Sequence, residues 1–126
     1  MKNKENNVDF AEQFKRRTKL YAIEIIKFCR KLSSNRETSI ISNQLIRAAT
    51  SVASNYRAAC RARSKKAFYA KMCIVVEEAD ETVFWLEIIR DAQIFKGSLL
   101  QTLINEGNEI LAIVATSRKT AGQNLA

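Results

Sequence analysis

Apolar residues return every three or four positions along most of this chain, and the polar residues between them fall on the other side of a helical wheel. A first helix from about Phe10 to Leu32 carries Phe14, Thr18, Tyr21, Ile25, Phe28 and Leu32 on one stripe, with Lys15, Arg16, Lys19, Lys27 and Lys31 largely off it. The run Ser33-Ser34-Asn35-Arg36-Glu37 interrupts the pattern, and Ser34 followed by Glu37 has the form of a capping box. A second helix then starts by about Ser39 and runs to about Arg61, with Ile41, Leu45, Ala48, Val52, Asn55 and Ala59 along its seam. Beside that seam Ala49, Ser51, Ala53, Ser54 and Ala58 are small enough for a neighbouring helix to come close.

Ser64 is suited to cap a third helix, from about Lys65 to Phe95. Phe68, Met72, Val75, Ala79, Thr82, Leu86 and Ile89 repeat along it at strict spacings of four and three, and Tyr69, Cys73, Val76 and Val83 add a second stripe. Gly97 reads as its C-terminal cap, and Ser98 with Gln101 repeats the capping-box form. Leu100, Leu103, Ile104, Ile110, Leu111 and Val114 line a fourth helix to about Lys119. Short connections make sequential helices antiparallel, so the expected architecture is all-α, an up-down-up-down four-helix bundle. One domain spans residues 10–120, with tails at 1–9, read as flexible, and at 121–126.

Composition agrees with that reading and narrows the chemistry. With no proline and three glycines among 126 residues, long helices are favoured over a sheet with many tight turns. A polar start and the lack of a long apolar run predict a cytoplasmic protein without a membrane role. Cys29, Cys60 and Cys73 lie inside apolar patterns without C-x-x-C spacing, as reduced thiols do. Histidine is absent, which removes the commonest general base and metal ligand. No nucleophile stands beside a recognisable base and no glycine-rich phosphate loop is present, so neither an enzyme nor a cofactor is expected.

The formal charge of +8 points instead to polyanions. Arg57, Arg61, Arg63, Lys65, Lys66 and Lys71 form an acid-free run near Tyr56 and Tyr69, suited to phosphates with a ring to stack on an unpaired base. The competing reading is a solvated turn at one end of a bundle. Lys15, Arg16, Arg17 and Lys19 form a second basic cluster on the first helix. If both clusters share an end or a groove, nucleic-acid contact gains weight.

Glu77, Glu78, Asp80 and Glu81 lack the companions that a metal site would need, so basic partners on other helices are the expected explanation. Arg47 is the candidate partner of Glu78 and Glu81, because a guanidinium can hold carboxylates through two nitrogens. Asn55 either fixes the register of a seam or bonds an ordinary helix carbonyl. Trp85 is a candidate for an association surface or the core.

The first helix, followed by Gln44-Leu45-x-Arg47-Ala48-Ala49-x-Ser51-Val52-x-x-Asn55, Arg61 and Ser64-Lys65-Lys66-x-Phe68, resembles the 23S rRNA intervening-sequence, or S23, family of four-helix bundles. Glu77 to Thr82 before Phe84-Trp85-Leu86 continues the resemblance, which spans roughly residues 10–120. The resemblance implies an antiparallel bundle without known catalysis, and a ring-shaped homopentamer. The chain is also similar to the accessory protein of diversity-generating retroelements, a basic pentameric barrel that works with nucleic acid and a reverse transcriptase. Where the larger branch of the family often has Asn-Ile-Ala-Glu-Gly, this chain has Asn55-Tyr56-Arg57-Ala58-Ala59, which exchanges an acid for a base-rich end. The leading expectation is a non-catalytic homo-oligomer that engages RNA or DNA or supports a nucleic-acid-processing protein. The alternative is a structural or protein-interaction scaffold.

Overall fold

The stripe of apolar residues on the first helix faces inward. Phe14, Thr18, Tyr21, Ile25 and Phe28 are all buried on α1 (Lys4–Cys29) in the computed structural model, which describes residues 4–125. Residues 1–3 and 126, the outer parts of the two expected tails, lie outside them. Helix α2 (Arg36–Cys60), α3 (Lys65–Asp91) and α4 (Ser98–Gln123) complete an all-α chain with no strand among the described residues. Each helix packs on the next in sequence, and α4 returns sparingly to α1. Arg17 meets Glu106 while Tyr21 meets Leu103, so α1 ascends as α4 descends. These are the relations of a four-helix bundle with antiparallel neighbours.

The regular stripe of α3 is the clearest success of periodicity: Met72, Val75, Ala79, Thr82, Leu86 and Ile89 are buried, joined by Val76 and Val83 from the second stripe. On α2 the buried set is Thr38, Leu45, Ala48, Ala49, Val52, Tyr56 and Ala59. Ile41 and Asn55 are only half-buried, because the actual interior stripe is broader and leans toward Ala49 and Tyr56.

Several boundaries move. Helix α1 begins at Lys4 rather than Phe10, since Lys4 to Asp9 contain no glycine or proline to stop a helix although they are too polar to register in an apolar pattern. Helix α4 continues past Lys119 to Gln123. The cap of α2 is Asn35, whose side-chain oxygen accepts from the Thr38 amide at 2.9 Å, one position beyond Ser34. Ser64 caps α3 as expected, accepting from the Ala67 amide at 3.0 Å.

Helix α3 stops at Asp91 and not at Phe95. Gln93 turns into the left-handed region (φ 59°), and the amides of Gln93 and Ile94 bond back to the carbonyls of Arg90 and Ile89. This is the double closure of a helix end usually made with glycine. The reversal sends Phe95 back to the core, edge-on to Phe28 at 4.9 Å. Gly97, with φ 146°, therefore opens α4 and does not close α3. No side chain caps α4, and Gln101 bonds Asn105 instead of completing a box with Ser98.

Two phenols stand in this interior. Burial, reinforced by the Glu106 charge, pushes Tyr21 above its usual pKa, and burial beside Cys60 does the same for Tyr56. The folded chain thus keeps protons that the unfolded chain releases above about pH 10. Stability should be complete below that pH and fall as it is exceeded. In Tyr21→Phe the decline in unfolding free energy, followed by denaturant titration at increasing pH, should be shallower by about 1.4 kcal/mol per pH unit.

Candidate nucleic-acid interface

Where α1 passes α2, small side chains leave an open groove floored by Ala22, Ile23, Ile26 and Ala53. Its rim carries Lys15, Arg16 and Lys19 from α1 and Arg57 and Arg61 from α2, with Glu12 and the hydroxyls of Thr50 and Ser54. Two basic clusters more than thirty-five residues apart in sequence therefore share one surface. Lys15 is paired with Glu12 at 2.5 Å, a bond that holds the Glu12 carboxyl below its ordinary range. Arg16, Lys19, Arg57 and Arg61 are exposed and, among the described residues, make no ion pair. Arg57 lies in the last turn of α2 and Arg61 is its C-cap, where the helix dipole itself favours cations. The dipole explains why the fold tolerates these charges, and their convergence with α1 gives them a common direction.

The other basic residues occupy the end of the bundle and not the groove. Arg63 and Lys65 line a cleft between the α2–α3 turn and the end of α4, with Phe68, Ser117, Thr120 and Asn124. Lys66 is exposed beside it, and Lys71 is half-buried one turn further along α3. Arg118 and Lys119 meet Tyr69 in a second cleft on α4. These last two cations were missed as part of the site because no periodic signal links them to the α2–α3 turn. The available signal was negative: no acid occurs between Glu37 and Glu77 or after Glu109, and antiparallel packing brings much of those stretches to one end.

The family model for the 23S rRNA-intervening sequence protein matches residues 11–116. The chain belongs to that family. It is also similar to the crystal structure of a protein with unknown function from the S23 ribosomal protein family of Bacteroides thetaiotaomicron VPI-5482. That similarity has a TM-score of 0.78 at 26% identity and covers 86% of this chain and 97% of that one. No curated protein gives a significant match.

In this intervening-sequence family member Arg17 does not join its basic neighbours. Its guanidinium turns toward α4, bonding Glu106 through two nitrogens at 2.9 and 2.7 Å and reaching Glu109 at 2.8 Å. Those carboxylates hold it protonated even more firmly than usual. Tyr56 is likewise unavailable as a stacking platform, being buried edge-on against Phe14 at 4.9 Å. Tyr69 is half-buried beside α4. Asn55 donates to the carbonyl and hydroxyl of Ser51 at 3.0 and 2.9 Å, so its amide nitrogen is bonded within its own helix.

On the α2–α3 seam Arg47 bonds Glu78 at 2.9 Å and also contacts Glu81, whose carboxylate accepts from the Trp85 indole at 3.3 Å. Trp85 is half-buried and meets the exposed Phe84 edge-on. Because Arg47 is half-exposed, its pairing contributes little: Arg47→Lys should lower unfolding free energy by about 0.5 kcal/mol in a denaturant melt. An unchanged midpoint would remove the pair from the account of stability. No group of three potential metal-binding side chains occurs among the described residues, and none of the described helices is long and apolar enough to cross a membrane.

Proposed function

We propose that this protein is a non-catalytic, cytoplasmic nucleic-acid-binding module of the intervening-sequence family, with the α1–α2 groove as its phosphate-binding surface. The observation that carries this reading is the convergence of Arg16 and Lys19 with Arg57 and Arg61, exposed and without an ion pair among the described residues, on one groove. Phosphate rows attract such cations by releasing condensed counterions, independently of sequence. A homo-oligomer, pentameric by family resemblance, would multiply the groove and present it repeatedly to a long polyanion. Ile40 and Phe84 are large, apolar and exposed on the single chain, which supports self-association. Such a module would act directly on RNA or DNA or hold it for a nucleic-acid-processing partner.

The test is affinity measured against salt. With four groove contacts, log K should fall against log salt with a slope of about −3.6 on duplex DNA. Absence of binding at low ionic strength, or binding indifferent to salt, would eliminate this mechanism and leave the scaffold reading. Light scattering on the same sample checks the subunit number.

A further inference from the structure

Two outer helix faces carry the four-and-three spacing that elsewhere marks a buried seam. On α1, Arg16, Leu20, Ile23 and Lys27 follow one another at that spacing and are all exposed, and exposed Arg30 continues the line just past the helix end. On α3, Ile74, Glu77, Glu81, Phe84 and Ile88 form a second such line, exposed or half-buried, on the side away from the core stripe. Leu20 is 58% exposed and Phe84 48%, large apolar side chains where a helix facing only water carries polar ones.

The charges on the two lines are opposite. Every ionic group on the α1 line is a cation and every one on the α3 line is a carboxylate. Among the described residues Arg16, Lys27, Arg30 and Glu77 make no ion pair, and Glu81 meets Arg47 and Trp85 through Oε2 alone. From Leu20 to Arg30 the α1 line reads apolar, apolar, cation, cation; from Glu77 to Ile88 the α3 line reads acid, acid, apolar, apolar. Laid antiparallel, Leu20 and Ile23 face Ile88 and Phe84, while Lys27 and Arg30 face Glu81 and Glu77. In the parallel direction the same apolar match leaves Glu77 opposite Gln13, with no cation to meet it. Helices α1 and α3 stand diagonally in the bundle, each packing on α2 and α4 and not on the other, so one chain cannot join its own two lines.

We infer that the α1 face of one copy packs antiparallel on the α3 face of a second copy. This inference rests on the self-association in the reading above and specifies the surfaces that make it. Two different faces meet, so the contact is head-to-tail, and every added copy still offers one free face of each kind. The contact uses α1 from Leu20 onward, leaving Arg16, Lys19, Arg57 and Arg61 to the groove.

Sedimentation of the intact chain at about 100 mM salt, over a range of protein concentrations, tests the pairing by charge exchange. Arg30→Glu and Glu77→Arg should each weaken self-association at least about tenfold, because each sets like charges against one another. The double variant Arg30→Glu/Glu77→Arg should recover it, since the opposite charges meet again with their places exchanged. Leu20→Ser and Phe84→Ser should also weaken assembly, whereas Lys96→Glu, an equal change of charge at an exposed position off both lines, should not. The substituted side chains are exposed, and circular dichroism verifies that the helices persist. A wild-type oligomer that neither single charge variant weakens, or that the double variant fails to restore, overturns the α1–α3 pairing and leaves self-association standing. A wild-type chain that stays monomeric throughout overturns both.

Discussion

Replacing Arg57 and Arg61 together by glutamine is expected to weaken nucleic-acid binding on the order of a hundredfold at about 50 mM salt, and to lower the salt slope by about 1.8. Each phosphate contact contributes about 0.9 to that slope, which at this ionic strength corresponds to roughly tenfold in affinity. The two residues are exposed and make no ion pair among the described residues, so the fold should lose only the favourable interaction of cations with the end of α2, about 0.3–1 kcal/mol each. Arg17→Gln supplies the contrast. Arg17 belongs to the same run of basic residues in sequence, yet Glu106 and Glu109 neutralise it on the far side of α1. Its loss should reduce stability and leave affinity for nucleic acid essentially unchanged. If Arg17→Gln weakens binding as much as the groove pair, net charge governs binding and the groove does not.

The second large effect belongs to the α1–α4 seam. A methyl group at Gly107 would stand 2.6 Å from the Tyr21 oxygen and 3.0 Å from a methyl of Val83. The Tyr21 hydroxyl cannot retreat freely, because it donates to the Leu103 carbonyl at 2.7 Å inside the bundle. Alanine is the better helix former by about 1 kcal/mol, so only a real collision can make it harmful. Gly107→Ala should cost about 1–2 kcal/mol net, seen as a drop of several degrees in Tm, because overpacking at a buried site displaces its neighbours. Tyr21→Phe alone should cost about 1 kcal/mol through the lost hydrogen bond. Combined, the two changes should cost less than their sum, since the atom that meets the new methyl is gone. Strict additivity, or a stabilising Gly107→Ala, would mean that Tyr21 is not the obstacle.

The helices and most of the core can be read from the amino-acid order because a strict alternation of four and three, as from Met72 to Ile89, has one inward face whatever surrounds it. Boundaries are less visible where apolar content and helix geometry part company. Ile94 and Phe95 continue the apolar pattern of α3, yet they reach the core only after Gln93 has reversed the chain. The opposite happens before Phe10, where a helix exists without an apolar stripe to announce it.

The candidate site was half legible. Both basic clusters could be named, but consecutive helical residues point about 100° apart, which is enough to put Arg16 on the groove and Arg17 on the α4 seam. Likewise Tyr56 adjoins Arg57 in sequence, yet Phe14 covers its ring. Such assignments depend on which helix stands opposite, and that is a property of the assembled bundle. Arg47 is the counterexample, where a two-pronged cation and two carboxylates one turn apart restricted the partnership enough to be named from the sequence.

The return of α1 to α4 also implies an order of assembly. Its polar bonds join residues 82 and 89 positions apart, whereas the three other helix seams join neighbours across short turns. Closing the longer loop must be repaid by contacts that do not exist until it has closed. The local hairpins can form early, leaving Tyr21 and Arg17 to lock the first helix onto the last. Amide hydrogens near that lock should therefore report the earliest opening of the bundle, before its middle helices separate.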